Sequence, residues 1–294
     1  MKEWVVISGK GGTGKTSLTA SFAVLAGNAV LVDCDVDAAD LHLVLSPAIK
    51  HHEDFTGGHE AEIRQQDCIR CGACLAHCRF DAVSMGPGRA GEAPFTIDST
   101  ACEGCGVCVR LCPVKAIDFP ERLAGEWYES ETRCGPMVHA RLKPGGENSG
   151  KLVSRVREAA RRIATDIRRD LILIDGPPGV GCSAIASLTG AALALIVTEP
   201  TLSGSHDMGR VIELTAHFDI PTVLCVNKWD LNPDQTEQIE RDALKKNVRA
   251  VGRIRYDRAI TQAQIQGKAV VEITEAGAGK DIRAVWTRLA AFQA

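Results

Sequence analysis

No apolar run in this chain approaches the roughly 18 residues that a bilayer-spanning helix requires, so no integral membrane segment is expected. Neither charge sign dominates: 34 Lys+Arg stand against 37 Asp+Glu, a formal net charge of −3. That balance gives no support for broad binding to nucleic acid or anionic lipid. No export signal is expected, because Met1-Lys2-Glu3-Trp4 leads at once into Val5-Val6-Ile7-Ser8-Gly9, too short a lead for a signal peptide. A cytoplasmic location is therefore expected. With 45% hydrophobic and 24% charged residues over 294 positions, the chain is no disordered segment and has material for one large domain or two smaller ones.

Cysteine is what the chain has in excess. Eight of its twelve cysteines fall within residues 68–112, and the others are Cys34, Cys134, Cys182 and Cys225. Disulfides belong to oxidising compartments, so metal ligation is the first reading of the cluster. The last four are isolated. Three of them sit in or beside apolar segments, where a small thiol is a common core residue.

Hydrophobic patterning places the cysteine cluster inside a different kind of domain. Trp4–Ser8 and Ala29–Asp33 are continuous apolar runs, the pattern of parallel strands buried on both faces. A Gly-rich turn and a helix from about Lys15 to Ala26 lie between them. The alternation stops over residues 50–148 and resumes at Lys151 with a helix, then the strand Leu171–Asp175. Further strands are expected at Ala192–Val197, Thr222–Val226 and Val248–Ile254, with helices near 204–217, 234–246 and 281–292. Such alternation predicts an α/β domain with a mainly parallel sheet, formed by residues 1–55 and 149–294. A second domain, 56–120, is inserted after its second strand, and 121–148 is expected to be a returning linker. The last helix places Ile282, Val285, Trp286, Leu289 and Phe292 on one face, which predicts packing against the domain rather than membrane binding.

Two motifs carry chemistry. Gly9-Lys10-Gly11-Gly12-Thr13-Gly14-Lys15-Thr16-Ser17 fits G-x-x-x-x-G-K-[ST] between a strand and a helix, the context a phosphate-binding loop needs. Its glycines admit backbone N–H groups close to phosphates, and the helix presents its positive end there. Lys15 is expected to contact the β- and γ-phosphates, and Thr16 to reach Mg²⁺. The second motif is an internal repeat, Cys68-x₂-Cys71-x₂-Cys74-x₃-Cys78 followed 34 residues later by Cys102-x₂-Cys105-x₂-Cys108-x₃-Cys112-Pro113. This is the bacterial two-cluster ferredoxin spacing, in which the fourth cysteine serves the other cluster. Cys68, Cys71, Cys74 and Cys112 are thus assigned to one [4Fe-4S] centre, and Cys102, Cys105, Cys108 and Cys78 to the other. The competing reading is zinc, which more usually takes two separated C-x₂-C pairs. Arg79 stands where the first quartet would often carry proline. Asn227-Lys228-Trp229-Asp230 matches the N-K-x-D guanine reader of many GTPases, which would give Asp230 the guanine N–H groups.

With Lys10, the phosphate loop reads K-G-G-x-x-K-T and resembles the deviant Walker A motif of the MinD/ParA/Mrp family, which includes the nitrogenase iron protein. The chain is identified as a member of that superfamily with an inserted two-[4Fe-4S] ferredoxin domain. The resemblance implies ATP with Mg²⁺ as nucleotide, a sandwich dimer with itself or a paralogous ATPase, and Lys10 reaching the partner's nucleotide. It places a water-orienting role on Asp35 within Asp33-Cys34-Asp35. Asp175 implies a carboxylate behind the Mg²⁺ shell, and Gly176-Pro177-Pro178-Gly179 a switch whose Gly179 N–H senses the γ-phosphate. It puts Asn227 on adenine and Ile254–Asp257 over the base. Three functions follow: an ATPase acting in iron–sulfur cluster assembly or transfer toward an acceptor protein; an ATPase gating electron transfer to a redox partner; or a MinD/ParA-like positioning ATPase with structural or redox-sensing clusters. Cluster carriers of the Mrp type hold a labile cluster on C-x-x-C near their C-terminal end, and this chain has none there. A polybasic, membrane-seeking tail, which would favour the positioning role, is missing too.

Overall fold

The computed structural model describes residues 1–88, 93–143, 146 and 149–291. They form two compact units, one of residues 1–53, 127–141 and 149–294, the other of 54–126 and 142–148.

The first unit starts with β1 (Lys2–Ser8), which is buried from Glu3 onward, α1 (Lys15–Ala26) and β2 (Val30–Asp33). Gly14 and Gly27 bracket α1 with left-handed φ of 91° and 68°, a conformation that costs an L side chain free energy but not glycine. A one-turn helix α2 (Leu41–Leu45) and the long strand β3 (Ala48–His59) lead away from it. The cysteine-rich unit then supplies β4 (Glu62–Ile63), α3 (Ala73–His77), β5 (Val83–Met85), β6 (Phe95–Ile97), α4 (Val107–Leu111) and β7 (Ile117–Asp118). The chain returns through β8 (Glu121–Thr132) and β9 (Gly135–Leu142). It continues as α5 (Ser149–Asp166), β10 (Leu171–Pro178), α6 (Cys182–Leu188), β11 (Leu193–Thr198), α7 (Leu202–His217), β12 (Thr222–Asn227), α8 (Pro233–Lys245), β13 (Arg249–Ile254), α9 (Arg258–Ile265) and α10 (Gly277–Ala291).

The large sheet runs β13-β12-β11-β1-β10-β2-β9-β8-β3, and its pairs from β13 through β9 are parallel. In such a sheet the C-terminal strand ends share one edge, where ligands bind. Here that edge brings together the ends of β1, β2, β10, β11 and β12, hence Gly9, Asp33–Asp35, Asp175, Glu199 and Asn227. The strands expected from the sequence are present within two residues at each end, except that the one expected at Leu171–Asp175 runs on to Pro178. Residues 121–142 differ from the expected linker: β8 and β9 form a two-residue hairpin that widens the sheet, with Met137–His139 paired to Leu31–Asp33. Linear periodicity missed it because these strands carry Arg, Glu, Tyr and His on one face. That face is stacked rather than apolar: His42, His139, Tyr128 and His52 form a column with ring centroids 5.0–6.1 Å apart. His139 is buried against Ser130 Oγ at 3.0 Å. Burial, then the neighbouring His42, lowers its pKa to about 4, so it is a neutral structural residue. Cys134, at the hairpin turn, is buried.

One core cluster joins the sheet to α1 and α10. Trp286 packs on Phe22 at 5.2 Å and on Trp4 at 5.8 Å, while Ile282, Val285 and Leu289 are buried beside them. The last helix therefore packs on the domain; Phe292 lies outside the described residues. No helix among the described residues is long and apolar enough to cross a membrane.

The cysteine-rich unit has a much smaller core of Ala61, Cys74, Val83, Phe95 and Ile117, surrounded by partly buried Cys78, Cys102, Cys108 and Cys112. So little apolar burial needs a staple for stability, and the thiols are positioned to hold one. The repeat is also a repeat of backbone: φ is 57° at Arg70 and 58° at Gly104, 75° at Gly72 and 70° at Gly106, and 52° at both Asp81 and Lys115. The turn after each run matches as well, with φ and ψ of −73° and 117° at Cys78 and −70° and 113° at Cys112. Arg79 in place of proline thus leaves that turn unchanged.

Candidate functional site

The phosphate loop joins β1 to α1 and is shaped by close approaches at its two ends. A Cβ on Gly9 would lie 2.4 Å from the Asp207 Cβ, and one on Gly14 would lie 2.4 Å from Asn227 Nδ2. Between them, a Cβ on Gly11 or Gly12 would meet nothing within 4 Å, so no side chain of the chain covers the middle of the loop on that side. Lys15 and Thr13 are buried, at 5% and 1% exposure, and the Thr13 hydroxyl has no hydrogen-bond partner. Thr16 and Ser17 follow in the first turn of α1, and Gln264 Nε2 donates to Ser17 Oγ at 2.8 Å.

Three carboxylates converge below the loop. Asp33 is fully buried, and both its oxygens are engaged: Oδ1 accepts from Asp35 N at 3.0 Å and Oδ2 from Leu41 N at 3.1 Å. It organises the loop after β2, each oxygen accepting one backbone hydrogen bond. Burial, reinforced by Asp175, raises its pKa well above the ordinary range. Asp35 is half-buried, its pKa raised to about 6 by burial against the opposing pull of Lys15. Asp175 faces Asp33 across the β10–β2 pair. Its Oδ1 accepts from Thr19 Oγ1 at 3.0 Å, while Oδ2 is buried with no partner. Burial raises Asp175 to about 6, opposed by Thr16, Lys15 and Thr19.

An orphaned buried carboxylate oxygen beside a hydroxyl-bearing Thr16 fits a hydrated Mg²⁺, a hard cation that keeps most of its waters. The same burial has a cost that can be measured. With folded pKa values raised above unfolded ones, the native state binds more protons between about pH 4 and 6, so this contribution to stability is present at low pH and is lost as pH rises through 6. In EDTA, Asp175→Asn is therefore expected to stabilise the protein at pH 7.5, by on the order of 2 kcal/mol, with the gain disappearing near pH 4. A melting-temperature series over that range checks it; a destabilised variant at pH 7.5 would refute the assignment of a strained carboxylate.

Two groups identified with the switch have partners within their own chain. Lys10 Nζ lies 3.5 Å from Glu199 Oε2 and 3.4 Å from Ser203 Oγ. The Gly179 N–H donates to the Ser8 carbonyl at 2.8 Å, with φ of 87° at Gly179. For Lys10 to reach another protomer, or Gly179 to contact a phosphate, these bonds must open. Glu199 also pairs with Lys228, whose own amine lies 3.5 Å from the Gly12 carbonyl. Sequence reading missed Glu199. Its signal was a carboxylate immediately after an apolar strand, at the sheet edge where ligand-binding residues gather.

Beside the loop, a cavity of about 230 Å³ is lined by Gly12, Gly14, Asn227, Tyr256 and Gln264 among others. Asn227 is buried and donates to the Thr13 carbonyl at 2.8 Å, locking the loop to the end of β12. Asp230, offered to guanine by the N-K-x-D spacing, is not among the residues lining the cavity. Its Oδ1 accepts from Tyr256 N at 2.7 Å and so fixes the loop of Ile254–Asp257.

In the cysteine-rich unit, two small apolar cavities divide the eight cysteines. One is lined by Cys68, Cys71, Cys74 and Cys112 with Ile63, Phe95 and Ile117. The other is lined by Cys78, Cys102, Cys105 and Cys108 with Ala61, Val83 and Ile97. Each takes three thiols from one run and the fourth from the other. Four thiolates around an apolar cavity suit a [4Fe-4S] cubane, which takes one cysteine on each iron. Burial pushes the Cys74 and Cys108 thiols up, an effect that a bound metal centre would counter by favouring the thiolate. Of the remaining cysteines, Cys34, Cys134 and Cys225 are buried and Cys182 is exposed.

Comparison with known proteins agrees with both units. Residues 61–119 match the family model of the 4Fe-4S dicluster domain. The uncharacterized protein MJ0578 of Methanocaldococcus jannaschii is 36% identical over 230 residues, 77% of this chain and 78% of the relative. A second protein of that organism, MJ0579, is 25% identical over 79% of this chain and 83% of its own length. Among solved structures, the Pyrococcus furiosus cell division ATPase MinD aligns over 99% of both chains with a TM-score of 0.58 and 18% identity. The Aquifex aeolicus MinC:MinD complex contains a chain aligning over 99% of this one and 96% of its own, with a TM-score of 0.60 and 18% identity. At such identities the likeness establishes the fold.

Proposed function

We propose a function from the premise that this chain belongs to the family of MJ0578 and joins a nucleotide-binding domain of MinD/ParA-type fold to a 4Fe-4S dicluster domain. It is an ATP-hydrolysing dimeric switch that gates electron transfer. The observation that carries this reading is the closure of both cysteine quartets, four thiols to each cavity. A cluster intended for delivery needs an open or labile coordination position; these cavities provide a full ligand set and an apolar wall. The clusters, when bound, supply one-electron carriage.

The chain's own residues do the rest. Lys15 and the amides of Gly11 to Thr16 grip the phosphates, while Thr16 and Asp175 hold the Mg²⁺ shell. Asn227 and the Tyr256 loop shape the base site, which favours adenine because Asp230 is committed to the Tyr256 N–H. Asp35, the least buried of the three carboxylates, orients the attacking water. Lys10, released from Glu199 and Ser203, neutralises charge on the partner's transferring phosphoryl group, as an arginine finger does. The partner is a second copy or a paralogue, and the match of two distinct M. jannaschii proteins supports the latter possibility.

Coupling is built on β2. This strand carries the Asp33–Asp35 turn and pairs with β10, which ends in the Asp175 switch, on one side. On its other side it pairs with β9, the hairpin partner of β8, along which the chain returns from the cysteine-rich unit. A shift of the switch against Ser8 therefore acts on strands continuous with the insert. Redox titration followed by EPR, with Mg·ADP and then a non-hydrolysable Mg·ATP analogue, tests the proposal. The reduction equilibrium of at least one centre is expected to move tenfold, about 59 mV for one electron. Identical potentials in both nucleotides, together with iron transfer to an apo-acceptor, would favour cluster delivery instead.

A further inference from the structure

We propose that the face formed by Ile69, Arg70, Val114 and Lys115 docks a small electron-carrier protein with an acidic surface. The proposal rests on the reading of the cysteine quartets as redox centres and adds the chemical class of their partner. The internal repeat serves as its own control. Equivalent positions share their backbone conformation, Asp81 and Lys115 having the same φ of 52° and Arg70 and Gly104 agreeing within a degree. What differs between the halves is charge.

Because the fourth thiol of each cavity comes from the opposite run, each cavity mouth combines loops from both halves. The mouth of the Cys68, Cys71, Cys74 and Cys112 cavity carries Arg70 between its first two ligands and Lys115 just beyond its last. The mouth of the other carries Glu103 between its first two ligands, with Arg79 and Asp81 beyond Cys78. Counting the groups outside ion pairs among the described residues, one mouth has two cations and no anion; the other has two anions and one cation. Arg70, Lys115, Asp81 and Glu103 are all exposed, and among the described residues none of them is in an ion pair. Arg64, which also donates to the Lys115 carbonyl at 2.6 Å, pairs with both Asp67 and Asp118, a triad of net −1 that offsets part of the charge at the cationic mouth without reversing its sign, and Arg122 pairs with Glu60. Asp98 accepts from the Thr100 N–H and hydroxyl. Arg110, on α4 between Cys108 and Cys112, adjoins ligands of both centres and does not alter the contrast.

Apolar side chains are exposed at both mouths, Ile69 (61%) and Val114 (41%) at the cationic one and Phe80 (45%) and Val107 (39%) at the other, each lining its cavity, so charge is what distinguishes the two. Solubility alone would accept either charge sign at either mouth, so it does not account for the segregation. A partner with a negative face does: the unpaired cations steer its approach, and the two apolar side chains supply the dry contact at the centre of a small transient interface. Cys71, between them in sequence, is itself exposed, which leaves a short path for the electron. In the exchange the reduced carrier loses one electron and the Cys68-Cys71-Cys74-Cys112 centre gains it. No bond forms and no proton moves.

An acidic flavodoxin is the probe. Its binding to the anaerobically purified, iron-loaded full chain is measured by titration calorimetry, and oxidation of its hydroquinone by stopped flow. Raising ionic strength from 0.05 to 0.3 M is expected to weaken binding about tenfold or more, as screening shortens the reach of exposed charges. The double variant Arg70→Glu/Lys115→Glu is expected to weaken binding and slow exchange at least tenfold, and Arg70→Gln/Lys115→Gln to do so several-fold. Asp81→Asn/Glu103→Gln should leave both within twofold. Reduction by methyl viologen, which needs no docking, should be the same in all. Unchanged flavodoxin binding in both Arg70/Lys115 variants, or a larger loss in Asp81→Asn/Glu103→Gln, would overturn the docking face. Failure of the wild-type chain to accept electrons from viologen would instead remove the redox reading beneath it.

Discussion

Lys10→Ala is expected to lower ATP turnover by about 10³-fold or more, the scale of losing a charge-neutralising finger, while ATP binding changes only a few-fold. The residue is in an unusual position for a loop lysine. Its amine is held 3.5 Å from Glu199 and 3.4 Å from Ser203, whereas Lys15 of the same loop is buried. A lysine needed for the nucleotide of its own protomer would gain nothing from that arrangement; one that must reach a partner would be held there until the partner arrives. Mixing distinguishes the two. Lys10→Ala protomers keep Asp35, and Asp35→Asn protomers keep Lys10. If Lys10 acts across the dimer, each mixed dimer holds one complete site, and activity returns on mixing two inactive variants. If it acts within its own chain, no mixed dimer holds a complete site and the mixture stays inactive. Normal hydrolysis by Lys10→Ala alone would also end the proposal.

The second large effect concerns the cysteines. Loss of one ligand from each of two centres should be far worse than loss of two from the same centre. The variant Cys68→Ala/Cys112→Ala removes ligands that line one cavity and is expected to retain about four irons per chain. Cys68→Ala/Cys78→Ala removes one ligand from each cavity and is expected to lose nearly all of about eight. Assignment by sequence run reverses the expectation, since Cys68 and Cys78 belong to one run. Iron analysis and EPR of anaerobic samples decide between them. Zinc at stoichiometric amounts in the wild type would defeat both versions. Because the core of this unit is so small, the variant without clusters is also expected to lose much of its ordered structure by circular dichroism, whereas the one-cluster variant keeps it.

Much of the site could be read from the sequence because its chemistry is local. A phosphate loop needs its glycines, its lysine and its hydroxyl within a few consecutive residues, and a cubane takes three ligands from one tight turn. The expectation for Asp35 rather than Asp33 came from a resemblance; in the structure Asp33 is fully buried and bonded to two backbone N–H groups, while Asp35 is half-buried. Asp230 shows the reverse: its motif spacing suggested base recognition, yet its carboxylate is bonded to Tyr256 N. Residues 121–142 were illegible because their strands gain stability from stacked histidine and tyrosine rings and from pairing with β2, neither of which leaves a two-residue hydrophobic period.

The amino-acid order alone determined which groups can grip a triphosphate, which thiols can hold iron, and that an alternating α/β domain surrounds them, since each depends on residues adjacent in the chain. Only the tertiary structure decided which far-separated residues share a site. It placed Glu199 on Lys10 and Ser8 against Gly179. It also set the charge contrast between the two cysteine cavities. Those pairings join positions up to 189 residues apart, and short-range propensity carries no record of partners brought together by sheet order and burial.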